Sequence, residues 1–166
     1  LTERPTVTYS PLQGNQFIQR VLTPLPLKNI ALLYNSGWSI ERIFRLCFQR
    51  MNNLTNAPGA SGPTPKKAPN VKEFIKVTKY LRELESLNAL ILSFEKENDI
   101  PKIILSISDE GKKLNTAQNF AKAMNLKPGQ KNYVITLSTK HNKPNQIRVV
   151  TRSLLGILFY LSQGVE

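Results

Sequence analysis

Residues Tyr80 to Leu114 read YLRELESLNALILSFEKENDIPKIILSISDEGKKL. The order is the end of a helix, a strand, a charged turn, a second strand and a Gly-Lys-Lys. Val71, Phe74, Ile75, Thr78, Leu81, Leu84 and Leu87 recur at helical spacing, which carries the helix back to about Val71. ALILSFE and KIILSIS alternate like strands, and KENDIP joins them as a hairpin. A helix followed by a hairpin sets the class as α+β. It is also the order of a winged helix, so the first functional question is whether this segment reads DNA.

Three features argue against that reading. A helix-turn-helix needs a second helix a few residues upstream, whereas the residues ahead of Val71 form a proline-rich loop. The positions expected to be exposed on the helix are Lys72, Glu73, Lys76, Lys79, Tyr80 and Glu83, and the two glutamates would face phosphate. The wing tip carries Glu95, Glu97 and Asp99 against Lys96, where a basic tip is needed to lie along a backbone.

Working outward, Pro5 and Pro11 should break any helix in residues 1–14, and Phe17, Ile18, Val21 and Leu22 then share the face of a short helix. LKNIALLYNSG forms another, stopped at Asn35-Ser36-Gly37. Ser39 caps a third, with Glu41 in its first turn where the helix dipole favours an anion. Its apolar stripe is Ile40, Ile43, Phe44, Cys47, Phe48 and Met51, which predicts one continuous helix. NAPGASGPTPKKAPN is a loop by composition. Beyond Leu114, NTAQNFAKAMNL reads as a helix capped by Asn115 or Thr116. NYVITLST and QIRVVT read as a second hairpin around KHNKPN. RSLLGILFYLSQG, apolar nearly all round, reads as a helix buried on several sides. The expected architecture is a helical part over 1–57, a Pro/Gly-rich loop over 58–70, and an α+β part over 71–166. The last comprises two β-hairpins, about four strands, packed with three helices, in one compact unit with the N-terminal part.

The chain has 166 residues, 23 basic against 11 acidic, for a net charge of +12. The excess lies mostly between Lys112 and Arg152, dispersed as single lysines through polar turns, the pattern of a solubilising face. That basic segment nevertheless supports an alternative, a cytoplasmic nucleic-acid-binding domain with the helix-hairpin as its scaffold. Cys47 is the one cysteine and His141 the one histidine. They are too few for a zinc site. A Cys47/His141 pair would require Cys47 to leave its apolar stripe, and His141 sits in a Lys-His-Asn-Lys-Pro turn. GASGPTP lacks the Gly-Lys-Ser/Thr of a phosphate loop, and Asn53-Leu54-Thr55 meets only a three-residue glycosylation pattern. No catalytic residue, cofactor, metal or small-molecule substrate is indicated. No apolar run is long enough to span a bilayer, and no leader is visible, so the chain is read either as cytoplasmic or as processed.

Three stretches carry a resemblance: TVTYSPLQGNQFIQRVLTP (6–24), SGWSIERIFRLCFQRMNNLTNAPGASGPTP (36–65) and RVVTRSLLGILFYLSQGVE (148–166). Together they resemble a family of bacterial envelope lipoproteins that has no assigned activity. Members carry a secretion leader and a lipid-accepting Cys upstream and continue beyond the last motif, so the resemblance implies a mature or trimmed form here. It implies a periplasmic, outer-membrane-associated structural or interaction module within a larger envelope or secretion assembly, whose partners are other envelope proteins or an anionic surface. The residues expected to face a partner are Trp38, Arg42, Arg45, Pro58, Pro63 and Pro65. Arg152, beside the last helix, is expected either to cap carbonyls or to pair with an acid.

Overall fold

The computed structural model describes residues 11–56, 71–137 and 143–163. Its elements are α1 (Pro11–Leu22), α2 (Leu27–Asn35), α3 (Ile40–Cys47), β1 (Phe48–Met51), β2 (Leu54–Thr55), α4 (Val71–Ser86), β3 (Leu90–Glu97), β4 (Ile100–Ile107), α5 (Asn115–Ala123), β5 (Asn132–Thr136), β6 (Gln146–Thr151) and α6 (Leu154–Ser162). The class is α+β, with six strands in one sheet in the order β2-β1-β6-β5-β4-β3.

The hairpin of the opening stretch forms as expected and is tighter than its sequence suggests. β3 and β4 pair from Leu90↔Ile107 to Glu97↔Ile100. Only Asn98 and Asp99 are left for the turn, both at positive φ (52° and 62°), the conformation that matches the right-handed twist of the strands. This hairpin is not a free wing, because β4 also pairs with β5, from Ile103↔Ile135 to Ser106↔Asn132. The Gly-Lys-Lys that follows is a single 3-10 turn, Gly111–Lys113. Gly111 is there for packing: a Cβ would come within 2.7 Å of the Ala89 Cβ.

Alternation places the core on one face of the sheet. Leu92, Leu105 and Tyr133 lie in one cross-strand row, and Phe94, Ile103, Ile135 and Ile147 in another. Against them pack Leu27 and Ile30 of α2, Ile40, Ile43 and Phe44 of α3, Phe74, Val77, Leu81 and Leu84 of α4, and Phe120 of α5, all in one buried cluster. Phe120 meets Tyr133 edge-on at 5.6 Å between ring centroids.

Several expectations need correction. The apolar repeat from Ile40 to Met51 is not one helix. α3 stops at Cys47 and the chain passes straight into β1. Phe48 and Met51 are both fully buried, and their three-residue spacing comes from a bulge, since the register with β6 shifts between Phe48 and Arg50. A bulge adds one residue to a strand, so two inward side chains stand three apart and imitate a helical repeat. The N-terminal part is therefore not all helical: β1 and β2 complete the far end of the sheet, which raises four strands to six.

The second pair of strands is not a hairpin. β5 and β6 run parallel, with Ile135 beside Ile147. The connection over residues 137–145 is long enough for the chain to return along the strand, at about 3.3 Å per residue. Parallel pairing lets β6 run antiparallel to β1, with Met51 opposite Val149 and Phe48 opposite Thr151. Pro11 opens α1 rather than breaking it, since its missing N–H would be unpaired at a first helical position anyway. α5 begins directly at Asn115 behind Leu114, with no side-chain cap. α6 is not buried on several sides: of its residues only Tyr160 is buried.

Ser39 behaves as expected, its Oγ accepting from the Arg42 N–H at 3.2 Å. Arg152 takes the first of its two expected roles. It is 6 % exposed and donates through Nη1 to the carbonyls of Arg45 (2.8 Å) and Leu46 (3.0 Å) and through Nη2 to that of Asn56. Its backbone N–H donates to the Cys47 carbonyl at 2.7 Å. Asn56, fully buried, donates its side-chain amide to the Arg45 and Phe48 carbonyls at 2.8 and 3.1 Å. The carbonyl end of α3, where the helix dipole is negative, is thus closed by a cation from the other end of the chain. Replacing Arg152 by Met leaves the carbonyls of Arg45, Leu46 and Asn56 short of this donor and should cost about 3 kcal/mol or more in urea unfolding. Arg152→Lys keeps the charge without the planar fork and should cost less. An unchanged midpoint for Arg152→Met would show that this tie does not hold the junction.

Candidate functional site

Of the residues that the sequence singles out, Arg42 and Arg45 lie along one side of α3, and Trp38 stands just before its cap, Ser39. They form one wall of a cleft of about 580 Å³, within the range of small-ligand sites. Ser39, Glu41 and Leu46 share that wall, and Arg82 of α4 with Tyr160 and Leu161 of α6 complete the lining. Arg82 and Tyr160 could not have been assigned to this site from sequence, since only the fold brings α4 and α6 to α3. Pro58, Pro63 and Pro65, His141 and the loop over 58–70 lie outside the described residues.

The cleft is cationic. Glu41, with an 11 % exposed side chain, accepts from Arg82 Nη1 at 3.0 Å and has Arg45 Nη1 at 3.7 Å. One carboxylate thus stands against the guanidiniums of Arg42, Arg45 and Arg82. The Arg42 guanidinium lies 5.8 Å from the centroid of the Trp38 ring, which is 40 % exposed. Behind the wall, the Arg152 guanidinium lies 4.0 Å from the Tyr160 ring centroid. Two buried polar atoms here lack a hydrogen-bond partner: Arg45 Nε and the Tyr160 hydroxyl. Glu85 of α4 stands near the start of α3 and accepts weakly from the Ile40 N–H at 3.4 Å. Burial raises its pKa, and that hydrogen bond opposes the rise.

The second feature is an apolar surface. Leu154, Leu155, Leu158, Phe159 and Leu161 of α6 are exposed, Phe159 by 65 %. α1 packs against α6 and presents Phe17, Ile18 and Leu22, also exposed. Together these side chains leave on the order of 800 Å² of apolar surface in water, above the patches of ordinary monomers and about one partner's share of a standard interface. No charged residue occurs from Ser153 to Gln163. Leu161 belongs to both features, so the cleft opens beside the apolar face.

Within the basic segment Lys112–Arg152, Lys112 pairs with Asp109 at 3.0 Å, and Lys131 and Lys113 stand near enough to help lower the Asp109 pKa. Arg152 is buried, and Lys113, Lys122, Lys127 and Lys131 are exposed. At the β3–β4 tip, Glu97 accepts from Lys102 at 2.5 Å, which lowers the Glu97 pKa. Asn53 is exposed in the β1–β2 turn. Among the described residues no group of three His, Cys, Asp or Glu side chains could hold a metal ion. No helix there is long and apolar enough to cross a membrane. Compared with protein-family models, curated proteins and solved structures, the chain matches none.

Cys47 is 2 % exposed, and burial pushes its thiol from an ordinary 9.0 up to about 11, with Arg152 partly opposing the rise. The folded pKa is raised, so the stabilisation is full below pH 9 and is lost as pH climbs through about 11. Urea unfolding between pH 8 and about 11.5 should show wild type losing about 3 kcal/mol relative to Cys47→Ala. A difference that does not change with pH would mean that the thiolate is not penalised.

Proposed function

We propose that this protein is a non-enzymatic interaction module of a bacterial cell envelope, working at the periplasmic side of the outer membrane within a larger secretion-type assembly. It docks there through the α1–α6 face onto an acidic protein partner. The observation that carries this reading is the uncharged arc of Leu154, Leu155, Leu158, Phe159 and Leu161, exposed on a helix that has the composition of a core. Leaving such a surface in water costs roughly 25 cal/mol per Å², which covering it with a partner recovers. The envelope setting is supported by the resemblance of stretches 6–24, 36–65 and 148–166 to envelope lipoproteins.

Charge selects the kind of partner. A net charge of +12 opposes pairing with a second copy of the chain. A membrane-surface helix carries Lys and Arg along its polar rim to meet anionic headgroups, whereas α6 carries none and α1 has Arg20 alone. An acidic protein with an apolar face meets both conditions.

The test is site-specific photo-crosslinking in the native host, with benzoylphenylalanine at Phe159 or Leu155 and, as control, at Lys79 on the exposed side of α4. Expected is one discrete adduct with an envelope protein from Phe159 and from Leu155, absent from Lys79. Leu158→Asp should reduce it at least tenfold while unfolding stays cooperative. Adducts only with lipid, only with a second copy, or none at all would overturn the reading.

A further inference from the structure

We infer that the cleft between α3, α4 and α6 is a carboxylate-binding site, which receives acidic side chains from the same protein segment that covers α6. The inference rests on the docking reading and adds the chemistry of recognition to it. The first observation is charge: Arg42, Arg45 and Arg82 face the cleft and Glu41 is the one carboxylate among its lining residues. The second is independent of charge. Tyr160 is 2 % exposed, lines the cleft, and its hydroxyl has no partner, and the neighbouring Arg45 Nε is also buried and unpartnered. Buried donors are almost always satisfied in folded proteins. A carboxylate oxygen accepts from both a guanidinium edge and a phenol, and so supplies what these two atoms lack.

The ligand class follows from the remaining walls. Trp38, Leu46 and Leu161 offer apolar contact beside the guanidiniums, which suits an Asp or Glu flanked by apolar side chains better than a free anion. Leu161 ties the two surfaces together, so an amphipathic segment lying on Leu158 and Leu161 carries its next acidic residue to the cleft mouth.

Trp38 is the only tryptophan in the chain, so its fluorescence reports on the cleft directly. The probe is an acetylated, amidated Leu-Phe-Asp-Glu peptide, with Leu-Phe-Asn-Gln and inorganic phosphate for comparison. Expected is a saturable change in Trp38 emission with the acidic peptide, at least tenfold weaker binding of the amide peptide, and no competition from equimolar phosphate. Arg45→Gln and Arg82→Gln should each weaken binding about tenfold, Tyr160→Phe a few-fold, and Lys79→Gln not at all. Tyr160→Phe keeps the ring beneath Arg152, so its unfolding midpoint separates lost binding from lost fold. Equal response to both peptides, displacement by phosphate, or no response at millimolar peptide would each overturn the inference. If that happens while the Phe159 adduct persists, the apolar docking stands and only the carboxylate site falls.

Discussion

The fold depends on what Arg152 does at the end of α3. A helix that turns directly into a strand leaves its last carbonyls without the partners a further turn would give. Here those of Arg45 and Leu46, with that of Asn56 beyond β2, converge on one guanidinium. A guanidinium is suited to this place because its donors fan out in a plane and it keeps its charge when buried, although burial draws its pKa down. Its face lies on the Tyr160 ring, so the same side chain that closes α3 also seats α6. Asn56 fills the remaining space from the other side with amide donors to Arg45 and Phe48.

The two surface features follow from that arrangement. Tyr160, held against Arg152, fixes the rotation of α6, and among the described residues α1 is the element that packs on its outer side. A helix whose residues are nearly all Leu, Ile, Phe and Tyr would usually be enclosed. This one is anchored by Tyr160, with Ile157 packed against the core, and its leucines are turned outward. The cleft lies where α6 passes the arginine side of α3, which places charge and apolar surface side by side.

Local patterns were legible in the sequence where one element settles the matter by itself. Ser39 as a cap, the helix from Val71 and the β3–β4 hairpin could all be read from the local sequence. Patterns that needed a distant partner could not. Phe48 and Met51 imitate a helix because the bulge opposite Val150 and Thr151 respaces them, and nothing in FQRM announces a strand whose neighbour comes so much later in the chain. KHNKPN looks like a hairpin turn because turn residues mark a change of direction without saying whether the next strand pairs back or crosses over. The burial of α6 was misjudged for a related reason: composition says what a helix could bury, and only packing says what it does bury. Of the residues that line the cleft, Trp38, Arg42 and Arg45 could be picked out in the sequence as surface candidates. Arg82 and Tyr160 come from helices that the fold alone brings there.

The tie between Arg152 and Arg45 spans 107 residues, and this has a consequence for birth on the ribosome. At about 5–20 residues per second, α3 emerges roughly 5 to 20 seconds before the arginine that closes it. Through that interval β1 has no β6 to lie against, and Ile40, Ile43 and Phe44 have only part of their eventual cover. The nascent chain therefore passes through a long stage in which its first half is sticky and unfinished. A chaperone that covers exposed apolar surface would find its substrate in that stage.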